Sequence, residues 1–507
     1  MLKKFLTILL GATFFMVACN KNKVEEKVVI KEEMVVAREG ESKTLDPHQG
    51  NDGYSLQANR LIYSRLVEAD GDMKIHPGIA ESWRQIDDKT TQFTIRKGIK
   101  FHNGDPLTVE DIKFSLERMT QSPRIAFVVP PVERVDIVDE YTINIVTKTP
   151  FGPLLAHLAH PALGIVSKKI VTEAGENYAN NPIGTGSYKF KEWINGDRLV
   201  FEKNEDYFDK NEKGPKTIIF KPVVEESSRL IGLETGEYDV AFALYGLNEE
   251  AVKKSEKLEL HAKPSLSTIF LGMNNEKEPF NNPKVRKAIS YAIAKQSIID
   301  TVLNGSGIIP NAPVVGAVFG STDKTKNYEY NVEKAKELLK EAGYENGFDT
   351  SIVLRGGDIN QQTAEIIQAN LREIGINAKI EILEASAFLD FTANGKHDMY
   401  LGAWGVVTGD ADYGLYSVYH SSAKGGTGNR DFYSNPEVDK YIEEARREIN
   451  PEKRKELYEK AEILIMDDVP NVLLFSRFIT VASQKNVKGI NVHPVTLHNM
   501  ATAYFEN

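Results

Sequence analysis

Cysteine is almost missing from this chain: Cys19 is the only one among 507 residues. An intramolecular disulfide is therefore excluded, and stability has to come from packing. No apolar run beyond Cys19 approaches the roughly 20 residues that a membrane-crossing helix needs. No basic cluster occurs either, and 62 Lys and Arg against 72 Asp and Glu leave a net charge of -10. That balance argues against nucleic acid as a partner, because a phosphate backbone must be met by lysines and arginines. Catalytic signatures are missing as well. There is no Gly-x4-Gly-Lys-Ser/Thr phosphate loop and no nucleophile elbow, and no convincing acid–base pair, so an enzyme is not expected. The ten histidines are scattered. His157 and His160 would share a helix face, but Pro161 ends that helix and no cysteine or carboxylate flanks them. No metal site and no cofactor are expected. Internal repeats are absent.

What is present is the composition of an ordinary soluble globular protein, 41% hydrophobic and 26% charged. The length suits two or three domains with substantial cores. At the N-terminus, Lys3 and Lys4 precede the apolar stretch Phe5 to Val17 and the small residue Ala18. This is the pattern of an export signal, and it is too short to be a good membrane span. Met16-Val17-Ala18-Cys19 resembles a lipobox, the recognition sequence of bacterial lipoprotein signal peptides. The resemblance implies removal of residues 1–18 and diacylation of Cys19. A plain secretory signal with a chance cysteine and a short membrane anchor are the alternatives. Cleavage would leave 489 of the 507 residues and remove two positive charges. Residues 19–33, rich in Lys, Glu and Val, read as a solvated, lipid-anchored tether, or else as a short exposed helix. The expected location is the extracytoplasmic face of a bacterial membrane.

Apolar periodicity divides the remainder. A strand is expected near Met34, and helical spacing at Leu61, Ile62 and Leu66 predicts a helix over 59–67. A β-rich stretch follows, with Thr91–Ile95 alternating and a second strand over 139–149; Thr108 is placed to cap a helix, with Asp111 three residues on. After Asn181 the pattern becomes α/β. Strands are expected at 188–193, 198–202, 216–223, 239–242, 268–272, 350–354, 378–383, 399–403 and 472–475. Helices are expected at 225–234, 283–294, 332–342, 361–374, 387–393, 436–447 and 451–467. Such β-α-β succession puts helices on both faces of mixed sheets.

Several segments together resemble the extracytoplasmic solute-binding proteins that serve peptide and nickel ABC importers. They are Ile79-Ala80-Glu81-Ser82-Trp83, the run from Phe93 to Gly104, and Pro106 to Leu116. Further on come Asn181 to Tyr188, Asn204-Glu205-Asp206-Tyr207-Phe208 and Pro279 to Ala288. The likeness covers nearly everything from Met34 onward. It implies an α/β, two-lobed periplasmic-binding-protein (Venus-flytrap) fold with mixed sheets and an extra β-rich subdomain on the first lobe. Lobe I would combine 34–66, 181–271 and 483–507, the β-rich subdomain would be 67–180, and lobe II would be 272–482. Two crossing strands would form the hinge, and a solute would be enclosed in the cleft between lobes. The partners implied are a small peptide or glutathione-like ligand and an ABC permease of two transmembrane subunits plus ATPases. A monomer, with no nucleic-acid partner, is expected. A nickel chelate or another non-peptide solute on the same scaffold is the alternative.

The resemblance also marks candidate ligand residues. Arg355 follows the 350–354 strand and precedes Gly356-Gly357, where dipeptide-binding members carry an arginine for the ligand carboxylate. A planar guanidinium grips a carboxylate bidentately; the alternatives are an arginine solvated in a loop or paired with Asp358. Trp404 ends the 399–403 strand before a Gly-rich loop and is expected to line the cleft. Typical peptide binders place an aspartate three residues after this tryptophan for the peptide ammonium, but this chain has Val407 there. It offers instead Asp410-Ala411-Asp412 before Tyr413, and Phe432-Tyr433-Ser434-Asn435 beyond. Both segments resemble the glutathione-binding branch. One carboxylate would hold an ammonium while the other caps the next helix, Asp412 being the plausible N-cap. Asn274, after the 268–272 strand, is a further candidate contact, although strand-end asparagines mostly serve turns. A surface adhesin or environmental sensor on this scaffold remains open at this point.

Overall fold

The computed structural model describes residues 31–210, 212–426 and 428–506. The export signal, Cys19 and nearly all of the 19–33 tether lie outside the described residues. Among those described, no helix is long and apolar enough to cross a membrane.

A sheet of twelve strands runs through the molecule and explains its two-lobed shape. From one edge, the order is Ile376–Leu383, Phe348–Arg355, Met399–Gly405, Ser267–Met273 and Asn471–Gln484. It continues through Val240–Phe242, Glu33–Arg38, Thr217–Pro222 and Arg198–Lys203 to Tyr188–Ile194. The strand Asn471–Gln484 belongs to both halves. Its last residues pair with Leu258–Pro264, from Gln484 on Leu258 to Phe478 on Pro264. Its first residues pair with Ser267–Met273, from Phe475 on Ile269 to Asn471 on Gly272. The other passage between halves is Ser265-Leu266, and the Ser476 hydroxyl donates to the Ser265 carbonyl at 2.9 Å where the two crossings touch. A hydrogen-bonded hydroxyl can be buried at a strand crossing at little cost, whereas an unpaired one could not.

Each half encloses its own apolar core. Leu271, Ile289, Ile352, Leu371 and Leu474 pack on one side of the crossings. Met34, Ile62, Phe201, Phe220 and Val481 pack on the other. A separate antiparallel sheet orders Ala80–Gln85, Thr90–Ile95, Thr142–Thr147 and Val132–Asp139. It is sealed by the helix Val109–Thr120, whose Ile112 and Leu116 join Phe93, Ile143 and Ile145. Thr108 and Asp111 cap that helix reciprocally, as their spacing predicts.

Three local differences from the sequence reading have physical causes. The helix expected over 59–67 is Gly53–Ile62, because Asp52 caps it by accepting from the Ser55 amide, and Val67 already starts a strand. The strand expected over 139–149 begins only at Thr142, because residues 139–141 turn the chain back from Val132–Asp139. The 472–475 strand extends to Gln484, because polar residues along it find buried partners: Thr480 donates to the Leu244 carbonyl at 2.7 Å.

Candidate functional site

Arg355 is the last residue of Phe348–Arg355, a strand that pairs in parallel with Ile376–Leu383 through the helix Asp358–Glu373. Carboxyl ends of parallel strands are where α/β sheets expose groups to ligands, since the returning helix leaves a crevice there. Gly357, at φ 128°, makes the turn into the helix in a conformation side-chain-bearing residues avoid. The Asn360 amide donates to the Arg355 carbonyl at 3.1 Å, fixing the backbone beneath the side chain. The guanidinium itself is exposed, lies 5.7 Å over the Phe388 ring, and has no carboxylate within 4.0 Å among the described residues. Asp358 is not its partner.

Trp404 stands in the adjacent strand Met399–Gly405, opposite Thr268. The strand runs two residues past its expected end, so Trp404 is held by the sheet. Its ring stacks on Tyr413, with centroids 5.5 Å apart and planes 29° apart, while its indole N–H is buried without a protein acceptor. Arg355 and Trp404 share a cavity of about 220 Å³ with Phe270, Phe388, Tyr400 and Arg430. Gly402 keeps this wall thin, since a Cβ there would lie 2.7 Å from both the Phe270 and Tyr400 rings. Beyond Arg355 opens a wider recess of about 670 Å³, bordered by Asn360, Ile382 and Glu384.

Sequence reasoning missed Arg430. It lies in an irregular segment whose only signal is its neighbouring glycines. Its Nη1 donates to the Thr392 hydroxyl at 2.9 Å and its Nη2 to the Gly426 carbonyl at 3.2 Å. Its Nε is buried without a partner, and no carboxylate lies within ion-pair distance among the described residues. Burial lowers its pKa; Tyr400 opposes that shift and the Arg355 charge adds to it.

The two candidate aspartates are placed differently. Asp410 is the N-cap of Ala411–Tyr419, accepting from the Asp412 amide at 3.1 Å. The cap is thus Asp410 and not Asp412, because only the residue before the first turn can turn its carboxylate back onto the free amides. Asp410 is also in a buried ion pair with Arg454. Burial works against the Arg454 charge, yet Asp410 holds that guanidinium above its ordinary range. Asp412, 2% exposed, lies 3.6 Å from Arg446 Nε and 3.9 Å from His157 Nε2. Burial pushes its pKa up to about 6, against the pull of Arg446. Both carboxylates therefore face protein cations, and holding a ligand ammonium would require breaking those contacts. Asn274 is likewise committed: its amide donates to the Gly395 carbonyl at 3.0 Å and its oxygen accepts from the Glu276 amide at 3.2 Å. It closes a turn at the end of the strand Ser267–Met273.

His157 Nδ1 donates to the Val128 carbonyl at 2.8 Å, and burial lowers its pKa to about 4. His160 Nδ1 accepts from the Ala162 amide at 3.2 Å. Among the described residues no group of three or more His, Cys, Asp or Glu is placed to hold a metal ion.

Comparison with known proteins sets this geometry in context. The model of the middle part of the bacterial extracellular solute-binding proteins, family 5, matches residues 74–426. The glutathione-binding protein GsiB of Pectobacterium atrosepticum is 29% identical over 492 residues, 95% of each chain. GsiB of Salmonella typhi is 30% identical over 478 residues, 92% of this chain and 93% of its own. Among solved structures, the ABC transporter-associated periplasmic binding protein DppA from Helicobacter pylori, in complex with the peptide STSA, is 30% identical. It superposes with a TM-score of 0.81 over 94% of this chain and 99% of its own. HbpA2 from Haemophilus parasuis is 27% identical, with a TM-score of 0.85 over 94% of this chain and 100% of its own.

Proposed function

Since the chain belongs to the bacterial extracellular solute-binding proteins, family 5, we propose that it is the receptor of an ABC importer. It captures a short peptide or a glutathione-like γ-peptide without chemical change. The observation that carries this reading is the pairing, in one small cavity, of the unpaired Arg355 guanidinium with the unpartnered indole N–H of Trp404. Arg355 is exposed and has no carboxylate within ion-pair distance among the described residues, so its guanidinium is available to grip a ligand carboxylate bidentately. Trp404 lines the same cavity, and its enclosed N–H, without an acceptor among the described residues, would reach a ligand carbonyl only on a small opening of the wall. The relatives named for glutathione and the peptide-bound DppA support that ligand class.

The lobes would close about the crossings at Ser265-Leu266 and within Asn471–Gln484, with the second lobe lying between them. Two adjacent antiparallel passages bend together more readily than a packed core deforms. Cys19, diacylated, would tether the receptor to the membrane, so that Cys19→Ser releases it into the soluble fraction.

The test is thermal melting of the full chain in detergent with glutathione and with di- and tripeptides. A ligand that binds only the folded state raises the melting temperature by mass action. The shift is expected with at least one of these ligands at micromolar concentration and is expected to vanish in Arg355→Ala. No shift with any peptide, and a large one with nickel–histidine, would replace this reading with capture of a metal chelate.

A further inference from the structure

We propose that Arg430 is a second carboxylate receptor in this cavity, so that the site selects ligands carrying two carboxylates over neutral zwitterionic peptides. This rests on the reading of the cavity as a peptide site and narrows it to one ligand class: peptides with an acidic side chain or a γ-glutamyl linkage that frees an extra α-carboxylate.

Arg355 and Arg430 border the same cavity, and among the described residues no carboxylate borders it with them, Glu384 lining only the wider recess that Arg355 also borders; the remaining named walls are Phe270, Phe388, Tyr400 and Trp404. Like charges at close quarters disfavour one another, and the Arg355 charge contributes to lowering the pKa of Arg430. No ion pair among the described residues offsets this repulsion. Elsewhere in the same half the fold does the opposite, setting Asp410 against Arg454 and Asp412 against Arg446.

The donors agree. A guanidinium has five N–H groups. Arg430 uses one on Nη1 for Thr392 and one on Nη2 for Gly426, and its Nε has no partner. Those two bonds hold the plane of the group in place while the second N–H on each Nη remains, the Nε being enclosed. A fixed fork with unused donors is what bidentate carboxylate binding requires. A ligand with one carboxylate satisfies Arg355 and leaves Arg430 facing it uncompensated. A ligand with two relieves both.

The test compares Gly-Glu with Gly-Gln, and glutathione with the analogue amidated at its γ-glutamyl α-carboxylate, by calorimetric titration of the full chain in detergent. Each pair differs by one carboxylate. The member with two carboxylates of at least one pair is expected to bind about tenfold to a hundredfold more tightly. Arg430→Gln is expected to reduce that ratio to near one while leaving the affinity for the singly charged member within about twofold. Adding salt should narrow the ratio in the wild type. Equal affinity within both pairs would overturn the proposal and leave the peptide reading standing. So would an Arg430→Gln variant that weakens both members alike, since Arg430 would then only support the Thr392 and Gly426 segments. If none of the four compounds binds the wild type, the peptide reading falls and this proposal falls with it.

Discussion

Four arginines in the second half of the chain divide into two pairs with opposite fates. Arg454 and Arg446 face the buried Asp410 and Asp412, while Arg355 and Arg430 face a cavity with no acid in its wall. The residue type is the same and the difference lies in what the fold has brought to meet it. Ion pairs completed within the chain hold the helix Ala411–Tyr419 against Pro436–Arg447 and Pro451–Asp468. Arginines without such a partner are, on the proposed reading, where a solute's charge would sit. The two aspartates, which as bare sequence look like receptors for an ammonium, are already faced by protein arginines in this structure.

Variants should separate the two pairs. The largest effect is expected from Arg454→Ala, which strands Asp410 as a buried, uncompensated charge. Breaking a buried pair costs about 3–5 kcal/mol, measurable as a lowered midpoint in urea unfolding. Arg355→Ala should leave ligand-free stability within about 0.5 kcal/mol, as for an exposed residue without structural partners. The same variant should weaken ligand binding at least tenfold in calorimetry. If its stability falls as far as that of Arg454→Ala, the distinction between the pairs collapses.

Acidification sharpens the contrast. The folded pKa of Asp412, about 6, lies above the ordinary aspartate value of 3.8. The folded state therefore takes up this proton first, and Asp412 adds stability as the pH falls from about 6 towards 4. His157 acts in the reverse sense. Its folded value of about 4 lies below the ordinary 6.5, so its contribution is complete above pH 6.5 and is lost as the pH falls to 4. Their contributions oppose each other in the wild type, alongside those of other buried groups such as His48 and Asp431 that both proteins share. In Asp412→Asn the stabilising uptake at this carboxyl is lost, so the unfolding free energy should fall more steeply than in the wild type between pH 6 and 4, by roughly 1 kcal/mol per pH unit. A parallel pH profile for variant and wild type would show that Asp412 is not titrating there.

The smallest effect is expected from Trp404→Phe, which keeps a ring on Tyr413 and deletes the unpartnered N–H. Ligand affinity should fall by about 0.5–1.5 kcal/mol with little change in melting temperature. Unchanged affinity would mean that the ligand does not use that donor.

How much of this was legible in the sequence follows from the range of the forces involved. The strand before Arg355 and the strand carrying Trp404 are apolar runs with clear ends, so both residues could be placed at the sheet from local pattern alone. Thr108 and Asp111 were legible because a capping box is a contact over three residues. The extent of Asn471–Gln484 was not, since Ser476, Arg477 and Thr480 interrupt its apolar pattern and are accommodated only by distant partners such as Ser265 and Leu244. The strand Val132–Asp139 was hidden by its charged residues, which face outward beside Thr142–Thr147. At the site, the roles of Asp410 and Arg430 depend on whether an opposite charge arrives from elsewhere in the fold. Arg454 is 44 residues from Asp410, and no periodicity announces that meeting or its absence at Arg430.

Whether arginines left unpaired by the fold define the ligand is decided by a crystal structure of the full chain or its mature form with glutathione bound. One ligand carboxylate is expected within hydrogen-bonding distance of the Arg355 guanidinium, with Asp410 still on Arg454. A ligand ammonium seated on Asp410 with Arg454 displaced, and Arg355 turned to solvent, would contradict that expectation.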